Sequence, residues 1–80
     1  MTDDISEERA RGIFNSHMNF VDSNPYIVEK SYRLIRCYEK LKIVDFEDSK
    51  FLFKSKRQKK YEGKIKILSR ELGYFLKDSI

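Results

Sequence analysis

The sequence predicts an all-α fold: a small three-helix bundle, with a four-helix version left open and a short irregular or helical segment before the last long helix. Three stretches repeat apolar residues at steps of three and four, which is the spacing of one helix face. A Pro-containing break separates the first two stretches. The composition, 40% hydrophobic and 38% charged, is typical of amphipathic helices. Residues 1–80 form one domain, near the lower size limit for independent folding.

The first helix is predicted from about Ile5 to about Val21. Its apolar positions are spaced as one stripe and comprise Ala10, Ile13, Phe14, Met18 and Val21. Acidic residues cluster at its start, where the positive end of the helix dipole favours them: Asp3, Asp4, Glu7 and Glu8. We therefore interpret these carboxylates as helix-stabilising and not as a metal site.

The second helix is predicted over residues 25–42. Asn24 is a preferred N-cap residue, and Pro25 suits the first helical position because no N–H is needed there. The apolar face comprises Val28, Tyr32, Ile35 and Tyr38, widened by Ile27, Leu34 and Leu41. The β-branched residues Ile43 and Val44 favour a helix end or extended structure.

Residues 45–55 allow two interpretations. The acidic residues Asp45, Glu47 and Asp48 suit the opening of a short helix. The triplet 51–53, Phe-Leu-Phe, suits a brief buried strand equally well, because a short apolar run has no diagnostic period.

The third helix is predicted over residues 56–77. Ser55 and Gln58 have the spacing of a capping box, and the apolar stripe comprises Tyr61, Ile65, Leu68, Leu72 and Phe75. Gly63 lies inside this helix and costs about 0.5–1 kcal/mol relative to alanine. A winged-helix-like α+β domain is the alternative, with residues 51–55 and 64–68 paired as a basic wing. The long apolar stripe favours the helix.

The strongest functional feature is a basic run before and within the third helix. Between residues 54 and 66, one acid (Glu62) accompanies seven cations: Lys54, Lys56, Arg57, Lys59, Lys60, Lys64 and Lys66. Residues 1–40 carry a net charge of −1 (six basic, seven acidic) and residues 41–80 a net charge of +5 (eleven basic, six acidic). Such asymmetry suggests a polyanionic or acidic partner. A merely solvated helix face is the alternative interpretation.

Aromatic residues supply a second set of candidates. Five tyrosines are present, and tyrosines beside lysines are able to stack on bases of a single strand. Tyr32, Tyr38 and Tyr61 fall on predicted core faces, so packing explains them equally well. The candidate interface residues are Tyr26, Phe51, Phe53 and Tyr74, and exposure of the 51–53 triplet would make a homodimer plausible.

The remaining motifs argue against catalysis and against a bound cofactor or metal. His17 is the only histidine and Cys37 the only cysteine, which leaves zinc without a ligand set. No phosphate-binding glycine loop, nucleophile elbow, HExxH or CxxC pattern is present. The N-terminus has no signal-peptide pattern, and no apolar run approaches the length that spans a membrane. We therefore expect a non-enzymatic cytoplasmic protein.

Two functions remain after these exclusions. The first is a small regulatory protein that binds a nucleic acid through the basic surface around residues 54–66. The second is a protein-interaction module that docks on an acidic surface of a larger protein machine, such as the inhibitors and adaptors that phages and mobile elements encode. Both use the same charge, so charge alone does not separate them.

Overall fold

The fold is all-α, as the sequence predicts, with three helices and no strand among the residues that the structure describes. This computed structural model describes residues 4–18, 24–50 and 52–78. Helix α1 spans Glu7–Met18, α2 spans Pro25–Glu47 and α3 spans Lys56–Asp78. Because residues 64–68 are helical, the winged-helix alternative is wrong.

Helix α2 lies in the middle and packs against α1 on one side and α3 on the other. Over their described residues, α1 and α3 do not approach within 8 Å between Cα atoms. Ion pairs show that both neighbours are antiparallel to α2: Glu7 in the first turn of α1 meets Lys42, and Glu71 near the end of α3 meets Lys30. The molecule is accordingly flat, measuring 46 × 26 × 15 Å.

The core is a single apolar cluster to which all three helices contribute. Its buried members are Ile5, Ala10, Ile27, Leu34, Ile35, Ile65, Leu68 and Leu72. Ser31 is buried among them and donates its hydroxyl to the Ile27 carbonyl at 2.7 Å, so its polar group is satisfied within α2. Several large apolar side chains of the described residues remain exposed, among them Phe46 at 84% and Leu52 at 93%.

Helix α1 begins two residues later than predicted. Ile5 lies outside the helix because its backbone groups bond to other helices: its N–H donates to Ser69 Oγ at 3.0 Å, and its carbonyl accepts from Tyr38 Oη at 2.7 Å. Ser6 then caps α1 by accepting the Arg9 N–H at 3.2 Å. The predicted end near Val21 lies outside the described residues.

Helix α2 begins as predicted, with Pro25 at its start and Asn24 Oδ1 accepting the Tyr26 N–H at 2.9 Å. It continues to Glu47, so the predicted end near residue 42 is wrong. Ile43 and Val44 stay helical because burial of the Val44 side chain outweighs the weak intrinsic preference of a β-branched residue. Of the ambiguous segment, residues 45–47 complete α2, residues 48–50 form a turn, and the described residues 52–55 are irregular.

Candidate functional site

The capping box at Ser55 and Gln58 sets the start of α3 and hence the position of the basic run. The Ser55 N–H donates to Gln58 Oε1 at 2.6 Å, and the Gln58 N–H donates to Ser55 Oγ at 3.2 Å. Six of the seven predicted cations, from Lys56 to Lys66, therefore lie on the first half of α3, while Lys54 lies just before it.

Two of those seven cations hold the α2–α3 connection in place. Lys54 Nζ lies 2.6 Å from Glu62, and this contact raises the pKa of the lysine. Arg57 Nη2 lies 2.8 Å from Asp48 and 3.1 Å from Glu47 at the end of α2. Arg57 and Ser55 both donate to Asp48, and these bonds lower the pKa of its carboxyl. Lys54 and Arg57 are thus already engaged within the fold.

Helical geometry divides the other five cations between different sides of α3. Lys60 and Lys64 place their ammonium groups 5.9 Å and 5.6 Å from the centroid of the Tyr61 ring. At 3.6 residues per turn, Lys66 is rotated about 160° from Lys64 around the helix axis. Lys59 is on the same side as Lys66, and Lys56 lies between the two groups. The five cations are therefore spread over about 160° of the helix circumference and do not all face the same direction.

Lys64 lines an open groove between α2 and α3 with a volume of about 360 Å³. Cys37, Tyr61 and Leu68 provide apolar surface in this groove, and Ile67 lies along it with more than half of its side chain exposed. Cys37 and Tyr61 are partly buried, and Leu68 belongs to the core. We call this feature the α2–α3 groove.

Helix α2 contributes four further cations to the α2–α3 groove that the sequence-based prediction missed: Lys30, Arg33, Arg36 and Lys40. Together with Lys64 they make five cations, against one carboxylate, Glu71. Their successive steps of three, three and four residues keep them near one side of the helix. A search for charge at helical spacing, rather than for runs along the chain, would have found them.

Most of these α2 cations have acidic neighbours, and the pairs of Arg33 and Arg36 are exposed, whereas the Lys30 side chain is only 17% exposed. Lys30 lies 3.1 Å from Glu71, Arg33 lies 2.8 Å from Glu29, and Arg36 lies 3.4 Å from Glu39. The two exposed pairs contribute about 0–1 kcal/mol each, so they bind these arginines only weakly. The side chains of Lys40 and Lys64 form no ion pair with the residues that the structure describes. The groove therefore keeps an excess of positive charge.

The predicted aromatic interface residues lie at opposite ends of the helix pair. Tyr26 stacks on Phe75 at 5.4 Å between ring centroids, and Tyr74 contacts the same ring edge-on at 6.0 Å. Phe53 lies at the other end, in the α2–α3 connection, and is 80% exposed. Phe51 lies outside the described residues. Tyr26, Tyr74 and Phe53 therefore do not form a single patch.

His17 and the other possible metal ligands do not form a metal site in the described residues. His17 Nδ1 lies 2.9 Å from the Ile13 carbonyl oxygen, which only accepts, so this nitrogen carries the proton and donates. Within residues 4–18, 24–50 and 52–78 no three His, Cys, Asp or Glu side chains are grouped to hold a metal ion.

None of the helices in that part of the chain is long and apolar enough to cross a membrane.

Comparison with known proteins adds no functional assignment, since no family model, curated protein or solved structure matches this chain.

Proposed function

We propose that this chain is a small non-enzymatic regulatory protein that binds nucleic acid through a basic surface centred on the α2–α3 groove. The observation that carries the proposal is the meeting of two cationic helix faces: four cations of α2 and Lys64 of α3 line one groove, with Lys60 beside it at Tyr61. Positive charges arranged in this way match the regularly repeated phosphates of a nucleic acid backbone.

The unequal roles of the cations support the same proposal. Lys54 and Arg57 serve the fold through their ion pairs with Glu62, Asp48 and Glu47. By contrast, Lys56, Lys60 and Lys64 are exposed and make no ion pair with other described residues, so no carboxylate of the described part of the chain neutralises their charge. Exposed lysines close together repel one another weakly in water, and a bound anion would relieve that repulsion.

The test is fluorescence anisotropy with labelled single- and double-stranded DNA and RNA. A protein that neutralises four phosphates of a single strand loses affinity about 50-fold between about 50 mM and about 200 mM salt. The variant carries Lys40→Glu, Lys56→Glu, Lys60→Glu and Lys64→Glu, and it leaves Arg57 in place because Arg57 stabilises the connection. We expect this variant to lose binding.

The matched control replaces the same four lysines by arginine. Phosphate contacts depend mainly on charge, so this control should bind within a few-fold of the wild type. Circular dichroism checks that both variants remain helical. Absence of binding to all four nucleic acids at low salt would overturn the proposal.

A protein-interaction module is the second candidate, and a different observation favours it. Phe46 and Phe53 are 84% and 80% exposed at the end of the molecule where α2 connects to α3. Exposed aromatic side chains of this kind are typical anchors of protein interfaces. In that case, truncation of Phe53 to alanine should weaken capture of an acidic protein partner more than loss of any single lysine does.

A further inference from the structure

We propose that the nucleic acid is a single strand that lies along the α2–α3 groove, with its phosphates on the cations of α2 and a base against Tyr61. The inference rests on the nucleic-acid-binding function proposed above and goes further by naming the class of ligand, its location and the residue that contacts a base. Three features of the groove lead to it.

The first feature is the combination of a concave apolar surface with a cationic rim. Cys37, Tyr61 and Ile67 present apolar atoms to the groove, whereas Arg33, Arg36 and Lys40 provide positive charge along α2. A duplex keeps its bases paired and stacked inside, so it presents only phosphates and groove edges to such a surface. A single strand turns its bases outward and satisfies both chemistries at once.

The second feature is the surroundings of Tyr61. The Tyr61 ring lines the groove. The part of α3 that carries it is fixed to the core by the buried side chains of Ile65 and Leu68. The ammonium groups of Lys60 and Lys64 lie within 6 Å of the ring centroid. A base is able to stack on a partly exposed aromatic ring, and the two neighbouring cations are placed to bind the phosphates on either side of that base.

The third feature is the length of the cationic row on α2. Residues 30 and 40 are separated by about 15 Å along the helix axis. A row of this length spans only a few phosphates of a bound strand. The volume of the groove, about 360 Å³, suits a short segment and not a whole duplex.

The experiment compares three labelled ligands of about 12 residues each: oligothymidine, an abasic strand with the same phosphates, and a duplex. We expect oligothymidine to bind at least about fivefold more tightly than the abasic strand, because stacking of one base contributes at least that factor. Tyr61→Leu should bring the affinity for oligothymidine down to that for the abasic strand. Tyr61→Phe retains the ring and should retain the difference.

A pair of charge variants locates the binding surface on the molecule. Lys40→Glu with Lys64→Glu reverses two groove cations, and Lys59→Glu with Lys66→Glu reverses two exposed lysines of α3 that do not line the groove. Both double variants change the net charge equally. We expect the groove variant to weaken oligothymidine binding at least tenfold more than its control, since only it removes contacts with the bound strand.

The wild-type chain supplies a measurement that needs no substitution. Cys37 is the only cysteine and lines the groove, so bound oligothymidine should slow its alkylation by a small maleimide. An unchanged alkylation rate at saturating oligothymidine would overturn the groove location.

The outcomes separate this inference from the function on which it rests. Equal affinities for oligothymidine and the abasic strand, or tighter binding of the duplex, would overturn the single-strand inference and leave nucleic-acid binding intact. If none of the ligands binds at low salt, the proposed function itself fails. Binding of an acidic amphipathic peptide with protection of Cys37, but no binding of oligothymidine, would assign the groove to a protein partner instead.

Discussion

Ser69 in α3 accepts a hydrogen bond from the backbone N–H of Ile5, 64 positions earlier in the chain, at a distance of 3.0 Å. Both residues are buried, and the carbonyl of Ile5 accepts a second bond from Tyr38 of α2. The segment that precedes α1 is thereby attached to both of the other helices. No Cα atoms of α1 and α3 come within 8 Å of each other over their described residues, so this attachment ties the N-terminal end of the chain to α3 where the two helix backbones stay apart.

Replacing Ser69 by alanine should lower the free energy of unfolding by about 1–3 kcal/mol, because the buried Ile5 N–H loses its acceptor. Urea denaturation followed by circular dichroism measures this difference. Ser49→Ala is the matched control, since the Ser49 hydroxyl bonds locally to the Phe46 carbonyl in an exposed turn. We expect its effect to stay within about 0.5 kcal/mol. Similar effects of the two substitutions would contradict the linking role of Ser69.

Gly63→Ala should stabilise the protein by about 0.5–1 kcal/mol. Gly63 lies inside α3, and a Cβ atom added there meets no other atom within 4 Å. The substitution therefore reduces the conformational freedom of the unfolded chain without creating a clash. Thermal unfolding should show a higher midpoint, and because Gly63 does not line the α2–α3 groove, nucleic-acid affinity should stay unchanged. A lower midpoint would show that α3 does not run unbroken through this position.

Acid should destabilise the protein partly through Asp48. Hydrogen bonds from Arg57 and Ser55 lower the pKa of this carboxyl below its ordinary value of 3.8, so the folded state binds its proton less readily than the unfolded state does. The stabilisation is fully present above the unfolded pKa and is lost as the pH falls through the folded pKa. Between about pH 5 and about pH 3, unfolding of Asp48→Asn should therefore depend less steeply on pH than that of the wild type.

Arg57→Gln provides the complementary test of the same ion pair. It removes the strongest cause of the lowered pKa and should flatten the pH dependence in the same way. The remaining slope in both variants is expected to come partly from Glu7, whose pKa is lowered by Lys42 and Arg11. If both variants kept the full wild-type slope, Asp48 would not contribute to acid sensitivity.

The exposed apolar side chains beside the connection predict self-association. Phe46, Leu52 and Phe53 are each at least 80% exposed, and packing against a second copy would bury this apolar surface. Light scattering at increasing concentration should show a mass rising from 9.7 kDa toward twice that value. Phe46→Ser with Phe53→Ser should abolish the rise.

The control for self-association lies at the other end of the molecule. Tyr26→Ser with Tyr74→Ser removes two exposed aromatic side chains that lie far from the connection along both helices. This variant should associate like the wild type. A wild-type mass that stays at 9.7 kDa throughout would exclude the homodimer.

Local chemistry in the sequence was sufficient to predict the helices and two of their starts. Asn24 with Pro25, and Ser55 with Gln58, act on backbone groups only two or three residues away, so their spacing along the chain is enough to recognise them. The same holds for the apolar stripe of α3, whose buried members Ile65, Leu68 and Leu72 were all predicted.

Only the tertiary structure determined where α1 starts, where α2 ends and which cations share a surface. Ile5 stays outside α1 because its backbone groups bond to Ser69 of α3 and Tyr38 of α2. Val44 stays helical because it is buried. Both effects depend on residues distant in sequence. The basic run is continuous along the chain, but helical rotation spreads its lysines over about 160° of α3, and Lys54 and Arg57 are held in ion pairs. The α2–α3 groove combines Lys64 with cations more than twenty positions earlier, because packing, and not sequence distance, determines which charges become neighbours.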